Sequence, residues 1–202
     1  MYLTQLHRPS GQLYLPEAAG KLVQRYSFTK FPSLEELSNP VRTFGMGKFE
    51  DVQIEEFNVY SDGIIVSSMS DTTVLDAFIE DFFDWAESEL GLAPTIIAKP
   101  EKHYESKLIV KSEIDLSAVI KPATAVLAAF NNVWKNNFDT DFELASFHLD
   151  CNPKKFSGRR KPNHFGLERR VNVPFEDNVF FSTAPFSTSD HLALLTKLES
   201  LG

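Results

Sequence analysis

Residues 52–90 read VQIEEFNVYSDGIIVSSMSDTTVLDAFIEDFFDWAESEL and carry the clearest structural signals in the chain. Val52–Tyr60 and Ile64–Met69 have the composition of strands, and they flank Asp62-Gly63, a dipeptide that tolerates the positive φ angles of a tight turn. We therefore predict a β-hairpin. The apolar positions of its first strand change phase around Glu55-Glu56, which predicts a bulge there.

A helix is predicted directly after the hairpin, from about Thr73 to Leu90. Thr73 and Asp76 have the spacing of a capping box, and Gly91 and Pro94 provide the stop. Apolar residues recur at spacings of three and four and form one stripe that faces a core. This stripe consists of Leu75, Phe78, Ile79, Phe82, Trp85, Ala86 and Leu90.

The opposite face of this helix is acidic and lacks any basic residue. Like charges four residues apart cost about 0.2 to 0.5 kcal/mol per pair, so we expect a compensating charge elsewhere. A solvated outer face is one interpretation, and a docking face for a basic partner is the other. The candidate docking residues are Asp76, Glu80, Asp84 and Glu87. A carboxylate metal site is not favoured, because no Glu-x-x-His motif accompanies them.

Downstream of this helix the pattern predicts further strands and two more helices. Strands are expected over Ser106–Ile114, Phe142–Cys151, Leu167–Val173 and Asn178–Thr183, and helices from Pro122 to about Asn137 and after Ser187. The predicted buried stripe of the middle helix is Val126, Leu127, Phe130, Val133, Trp134 and Phe138. That of the last helix is Leu192, Leu195 and Leu198.

Residues 1–50 are predicted to be rich in strands and loops. Strands are expected over Tyr2–Leu6, Gln12–Leu15 and Lys21–Phe28, with a helical turn over Ser33–Leu37. From residue 52 onward the order is ββαβαβββα. Because strands and helices do not alternate regularly, an α+β fold is favoured over a Rossmann-type fold. We expect one domain over 1–202, with a mixed, mainly antiparallel sheet and about three helices packed on one face.

The bulk composition is typical of a globular protein, with 43% hydrophobic and 24% charged residues. No secretory signal and no stretch of membrane-span length are apparent. The single cysteine, Cys151, excludes an internal disulfide and fits a reducing compartment. These features predict a soluble cytoplasmic protein.

The net charge of −8 is unevenly distributed along the chain. Between Lys154 and Arg170, seven basic residues stand against Glu168, so this window has a charge of +6 and the remainder −14. The candidate residues for binding an anion or a partner are Lys154, Lys155, Arg159, Arg160, Lys161, Arg169 and Arg170. The alternatives are a solvated surface turn, or a loop that neutralises the acidic helix.

Arg169 differs from the other basic residues because it alternates with Leu167 and Val171. This alternation predicts that its side chain points toward the apolar side of its strand. An inward arginine needs a carboxylate or an anionic ligand. Pairing with an acid inside the protein is the favoured interpretation, and ligand anchoring is the alternative.

No catalytic or metal site is assigned from the sequence. Ser146, His148 and Asp150 have the residue types of a hydrolase triad, but same-face strand residues stand about 6.5 to 7 Å apart and no nucleophile elbow is present. Cys151 and His164 add zinc-ligand types around His148, yet a structural zinc site normally needs more cysteine or paired ligands. We therefore expect neither a metal nor a cofactor.

The segment Gly45-Met46-Gly47-Lys48 lacks the spacing of a phosphate-binding loop. We interpret it as a turn or bulge before a strand.

These patterns favour a non-enzymatic interaction or adaptor protein with a charge-segregated surface, which binds a protein partner or a second copy of itself and no membrane. The alternative is an enzyme or binding protein for a phosphorylated or nucleic-acid ligand. In that case the basic loop and Arg169 would hold the ligand, and His148 or His164 would act as acid or base.

Overall fold

The computed structural model describes residues 2–3, 6–7, 13–94, 101–114, 121–134, 142–157 and 160–201. This part of the chain is an α+β fold in which every strand pair is antiparallel. The predicted fold class is thereby confirmed. The chain divides into two compact units, Met1–His103 and Tyr104–Gly202, and each is described by itself. A single domain over the whole chain remains a prediction.

The first unit has a main sheet in the order β3-β4-β5-β1-β7, and β2 pairs separately with β6. Its elements are β1 (Tyr2–Leu3), β2 (Leu6–His7), α1 (Leu15–Tyr26), β3 (Arg42–Phe49), β4 (Val52–Val59), β5 (Ile64–Ser67), α2 (Thr72–Leu90), β6 (Ala93–Pro94) and β7 (Glu101–Lys102). A short 3-10 turn occupies Glu36–Ser38. The hairpin at Asp62-Gly63 is confirmed as β4 and β5.

An aromatic core joins both helices of this unit to one face of its sheet. Phe57 of β4 is fully buried, and its ring centroid lies 5.2 Å from that of Phe78 and 4.9 Å from that of Phe82 on α2. Phe28 stacks on it from another side at 6.2 Å. Tyr26 of α1 packs on Phe78 at 4.8 Å. Since α1, α2 and the inward residues of β3 to β5 share one core, both helices cover the same face.

Helix α1 overturns the prediction of a strand over Lys21–Phe28. Ala18, Leu22 and Tyr26 recur every four residues and are buried, which is a helical period. Pro16 lies in the first turn, where its missing N–H costs nothing. The predicted strand Gln12–Leu15 is also wrong at its end, since Leu15 begins the helix.

The pairing of β3 with β4 is interrupted near Glu55, where the phase change predicted a bulge. The interruption is not a bulge. Gly45 pairs with Glu56 and Gly47 with Ile54, so the register is the same on both sides and no residue is inserted. Met46 adopts a positive φ of 55° instead. The segment predicted as a turn or bulge before a strand thus lies inside β3.

Helix α2 is confirmed with nearly its predicted bounds, Thr72–Leu90. Its N-cap is Asp71, whose side chain accepts a hydrogen bond from the Thr73 backbone N–H at 2.8 Å. The capping box predicted at Thr73 and Asp76 is therefore wrong. Gly91 ends the helix with a φ of 62°, as expected for a left-handed C-terminal residue.

The second unit has a four-stranded sheet in the order β8-β11-β10-β9. Its elements are β8 (Ser106–Lys111), α3 (Lys121–Trp134), β9 (Ser146–Leu149), β10 (Phe165–Arg169), β11 (Val179–Ala184) and α4 (Thr188–Glu199). Helix α4 covers one face of this sheet, where Leu195 joins a core with Phe165, Leu167 and Phe180. The helix predicted after Ser187 is confirmed, and Ser187 caps it by accepting from the Asp190 N–H.

The buried stripes predicted for these two helices need correction. On α4 the fully buried residue is His191, whereas Leu192 is 47% exposed. On α3, Val126, Phe130 and Val133 are 70%, 50% and 69% exposed. The reason is that α4 already fills the described core of this unit, while α3 contributes no residue to it. Leu127 and Trp134 are half-buried, and Phe138 lies outside the described residues.

Gly47 gives a test of the packing around the aromatic core. A Cβ at this position would lie 2.4 Å from Cε1 of Phe28, whereas a Cβ at Gly20 in α1 meets nothing within 4 Å. We expect Gly47→Ala to lower the free energy of unfolding by about 1 to 3 kcal/mol. Gly20→Ala should raise it by about 0.4 to 1 kcal/mol. Urea denaturation followed by circular dichroism measures both, and equal effects would contradict the proposed steric origin.

Candidate functional site

The acidic face of α2 is the strongest candidate surface, because its geometry is set by the buried side of the same helix. Phe78, Phe82 and Trp85 are held in the core, which turns the other side of the helix outward. Glu80 and Asp84 are exposed, as is Glu87. Spacings of four and three residues place the three carboxylates on one strip about 10.5 Å long.

Asp76, predicted as part of this face, has a different environment. Its Oδ1 lies 2.6 Å from Nζ of Lys102, and both side chains are largely buried. Its charge is therefore neutralised within the unit. Glu80, Asp84 and Glu87 form no ion pair with any described residue. We define the acidic strip as these three residues.

A second neutralised carboxylate lies on the flank of α2. Asp81 accepts hydrogen bonds from Nη2 of Arg25 at 2.6 Å and from Nε at 3.2 Å, and Tyr26 donates its hydroxyl proton at 2.7 Å. The hydrogen bond to Asp81 raises the pKa of Arg25, and burial is the main cause that raises the pKa of Tyr26. Arg25 and Lys102 thus provide part of the expected compensation of the acidic helix, at Asp81 and Asp76.

The two units differ sharply in charge. The first contains eight Lys and Arg residues against sixteen Asp and Glu residues, and the second contains twelve of each. The net charge of −8 therefore belongs to the first unit. The acidic strip therefore belongs to the unit with a net negative charge.

The basic loop of the second unit is largely exposed. Lys154 and Lys155 lie in a 3-10 turn that Asn152 caps, and Arg160 is exposed too. Lys161 pairs with Asp150 at 2.7 Å, a hydrogen bond that raises the pKa of the lysine and lowers that of the carboxyl. Arg170, also predicted, is exposed at the end of β10, and Arg159 lies outside the described residues.

Arg169 points inward, as its alternation predicted. Its guanidinium carbon lies 4.3 Å from the Phe175 ring centroid and 5.1 Å from that of Phe180. Nη1 donates to the Phe175 carbonyl oxygen at 2.8 Å, and Nη2 lies 3.5 Å from a carboxylate oxygen of Glu143. Two rings, a carbonyl oxygen and a carboxylate thus surround the guanidinium, whereas Nε has no hydrogen-bond partner among the described residues.

The histidines proposed as acid or base lie on the other face of the same sheet. The ring centroids of His148 and His164 are 5.2 Å apart, and both side chains are exposed. His148 pairs with Gly166, three residues from Arg169 along β10, so it lies about 10 Å along the strand and on the opposite face. Arg169 is therefore separated from the two histidines, which lie beside each other.

A buried polar network in the second unit was not anticipated from the sequence. His191 is fully buried, its Nδ1 lies 2.7 Å from Oγ of Ser106, and its Nε2 lies 2.7 Å from Oγ of Ser182. Ser182 donates to the carbonyl oxygen of Gly166, so it accepts from Nε2–H, and Nδ1 accepts from Ser106. Burial favours the neutral imidazole, and in that form both ring nitrogens are hydrogen-bonded. The placement of His191 within α4 at the apolar period was the only sequence signal for its burial.

This network predicts a specific pH dependence of stability. Burial lowers the pKa of His191, so below about pH 6.5 the unfolded chain binds a proton that the folded chain does not. The contribution of neutral His191 to the free energy of unfolding is complete above that pH. It declines as the pH falls toward the folded-state pKa. In His191→Gln this part of the decline should disappear. Urea unfolding between about pH 7 and pH 5 measures it, and the exposed His148→Gln variant should behave as wild type. A decline of the same size in His191→Gln would contradict the assignment.

Comparison with protein families, with curated proteins and with solved structures finds no match to this chain. Within the described residues, no group of three or more His, Cys, Asp or Glu side chains is arranged to hold a metal ion. No helix in the same residues has the length and apolar character needed to cross a membrane.

Proposed function

We propose that this protein is a non-enzymatic interaction or adaptor protein, and that the acidic strip of α2 docks a basic surface of a protein partner. The main support for the proposal is that the carboxylates of one helix differ in whether a cation pairs with them. Asp76 and Asp81 are paired with cations, whereas Glu80, Asp84 and Glu87 are exposed on one strip without a described partner.

The rigidity of α2 supports this role. The helix is fixed by aromatic packing on one side and by the Arg25–Asp81 ion pair on its flank. Three carboxylates at fixed spacing present a defined pattern of charge, which favours correctly oriented partners and repels acidic ones. The net charge of the first unit extends the attraction beyond contact distance and raises the rate of association.

The separation of Arg169 from the two candidate acid/base histidines also supports a binding role. Arg169 is enclosed by aromatic rings, and His148 and His164 lie on the other face of the sheet. A phosphorylated or nucleic-acid ligand remains the alternative, and it would rest on the exposed cations Lys154 and Lys155 without Arg169. We further propose that the protein acts in the cytoplasm, because its single Cys151 fits a reducing compartment.

Charge reversal on the acidic strip tests the proposal. The triple variant Glu80→Lys, Asp84→Lys, Glu87→Lys should weaken partner binding about tenfold or more, since three favourable contacts become repulsive. Affinity capture from the source cells, with quantification by mass spectrometry at low and moderate salt, identifies the partner. Binding of the purified pair then gives the affinity.

A matched control separates the acidic strip from net charge alone. The control variant reverses three other exposed acids of the same unit, so its net charge changes as much as that of the α2 variant. Its substitutions are Glu35→Lys, Glu55→Lys and Asp62→Lys. This control should retain most of the affinity, and wild-type binding should weaken with salt. Equal loss in both triple variants, or undiminished binding by the α2 variant, would contradict the proposal. Capture that depends on nucleic acid would favour the alternative.

A further inference from the structure

Helix α3 exposes an apolar stripe that the described core leaves uncovered. Val126, Phe130 and Val133 follow one another at spacings of four and three, so they share one side of the helix, and each is at least half exposed. The side that faces the protein is a different one, about a quarter turn away. There Leu127 and Trp134 are half-buried. Phe142 packs on Trp134 at 4.8 Å and reaches the edge of the stripe, where it packs on Phe130, also at 4.8 Å.

We infer that this stripe is the interface through which two copies of the chain associate, with their α3 helices antiparallel. The inference rests on the α3 stripe and is independent of the acidic strip. Two features of α3 favour a second copy as the occupant. They are the absence of charge and the symmetry of the apolar pattern.

The absence of charge removes the usual obstacle to pairing of identical surfaces. From Pro122 to Trp134 the sequence has no acidic or basic residue and no histidine. Two copies of the stripe can therefore pack against each other without charge repulsion at the contact. A strongly charged partner finds no complementary group on this stripe, which separates it from the acidic strip.

The symmetry of the pattern fits a two-fold axis between positions 129 and 130. In an antiparallel pair about this axis, Val126 lies opposite Val133 of the second copy. The two Phe130 rings meet on one side of the contact, and the small Ala129 residues meet on the other. Each side chain thus finds an apolar neighbour, as an isologous interface requires.

The size of the stripe determines the expected affinity of the dimer. A helix of 14 residues is about 21 Å long and about 10 Å wide, so one side buries on the order of a few hundred Å² per copy. Stable interfaces bury about 800 Å² per partner. We therefore expect a weak and reversible dimer. Salt should leave it unchanged or strengthen it by screening the repulsion between two acidic first units.

Sedimentation equilibrium of the full chain from micromolar to millimolar concentration tests the association. The mass should rise toward that of a dimer, and Phe130→Ser should weaken the dimer about tenfold or more. Circular dichroism confirms that the variant remains folded. Wild-type protein that stays monomeric over the whole range would overturn the inference, as would a dimer that Phe130→Ser leaves intact.

Cysteine crosslinking tests the geometry without disturbing the stripe. In a Cys151→Ser background, Ala129→Cys places a thiol beside the two-fold axis, whereas Ala128→Cys places one on the opposite side of the same helix. Both alanines are exposed. Under mild oxidation the 129 variant should form a disulfide-linked dimer and the 128 variant should not. Equal crosslinking at both positions, or crosslinking at 128 alone, would refute the antiparallel contact. Because salt weakens docking at the acidic strip and not this dimer, each proposal can fail separately.

Discussion

Aromatic packing around Phe57 is the constraint on which the first unit depends. This one ring touches Phe28 before β3, Phe44 on β3, and Phe78 and Phe82 on α2, and it has no exposed surface. Aromatic pairs at such distances contribute about 0.5 to 1.5 kcal/mol each beyond the burial of their area. Because two of the contacts are on α2, the rotation of that helix about its axis is fixed. The outward direction of the acidic strip follows from this buried contact.

The elements that could be predicted are those specified by local signals. Asp62-Gly63 marks a turn between two apolar runs, and Gly91 ends a helix whose apolar period is uninterrupted. The alternation around Arg169 likewise revealed the direction of its side chain. Of the candidate surface, the exposed members of the acidic strip could be identified from the helical period alone. The pairing of Asp76 with Lys102 could not, since it depends on how distant strands meet.

The elements that sequence reasoning missed depend on distant contacts. Helix α1 is short, and its residues from Lys21 onward alternate well enough to resemble a strand; the helical period of Ala18, Leu22 and Tyr26 becomes evident once they pack in the core with α2. His191 is tolerated in the core because Ser106 and Ser182 stand at the right register on two strands. Helix α3 is amphipathic, but amphipathicity does not indicate which molecule covers its apolar side. In each case the missing information lies in tertiary structure or in a partner.

The uneven division of charge between the units has a consequence for the behaviour of the chain in solution. Equal numbers of acidic and basic residues leave the second unit near its isoelectric point at neutral pH. Exposed apolar side chains such as Ile109 and Val171 lie in that same unit. Net charge keeps protein molecules apart, and near-zero charge promotes precipitation. Colloidal stability of the full chain is therefore supplied by its acidic half, which acts as a solubilising partner covalently joined to the neutral one.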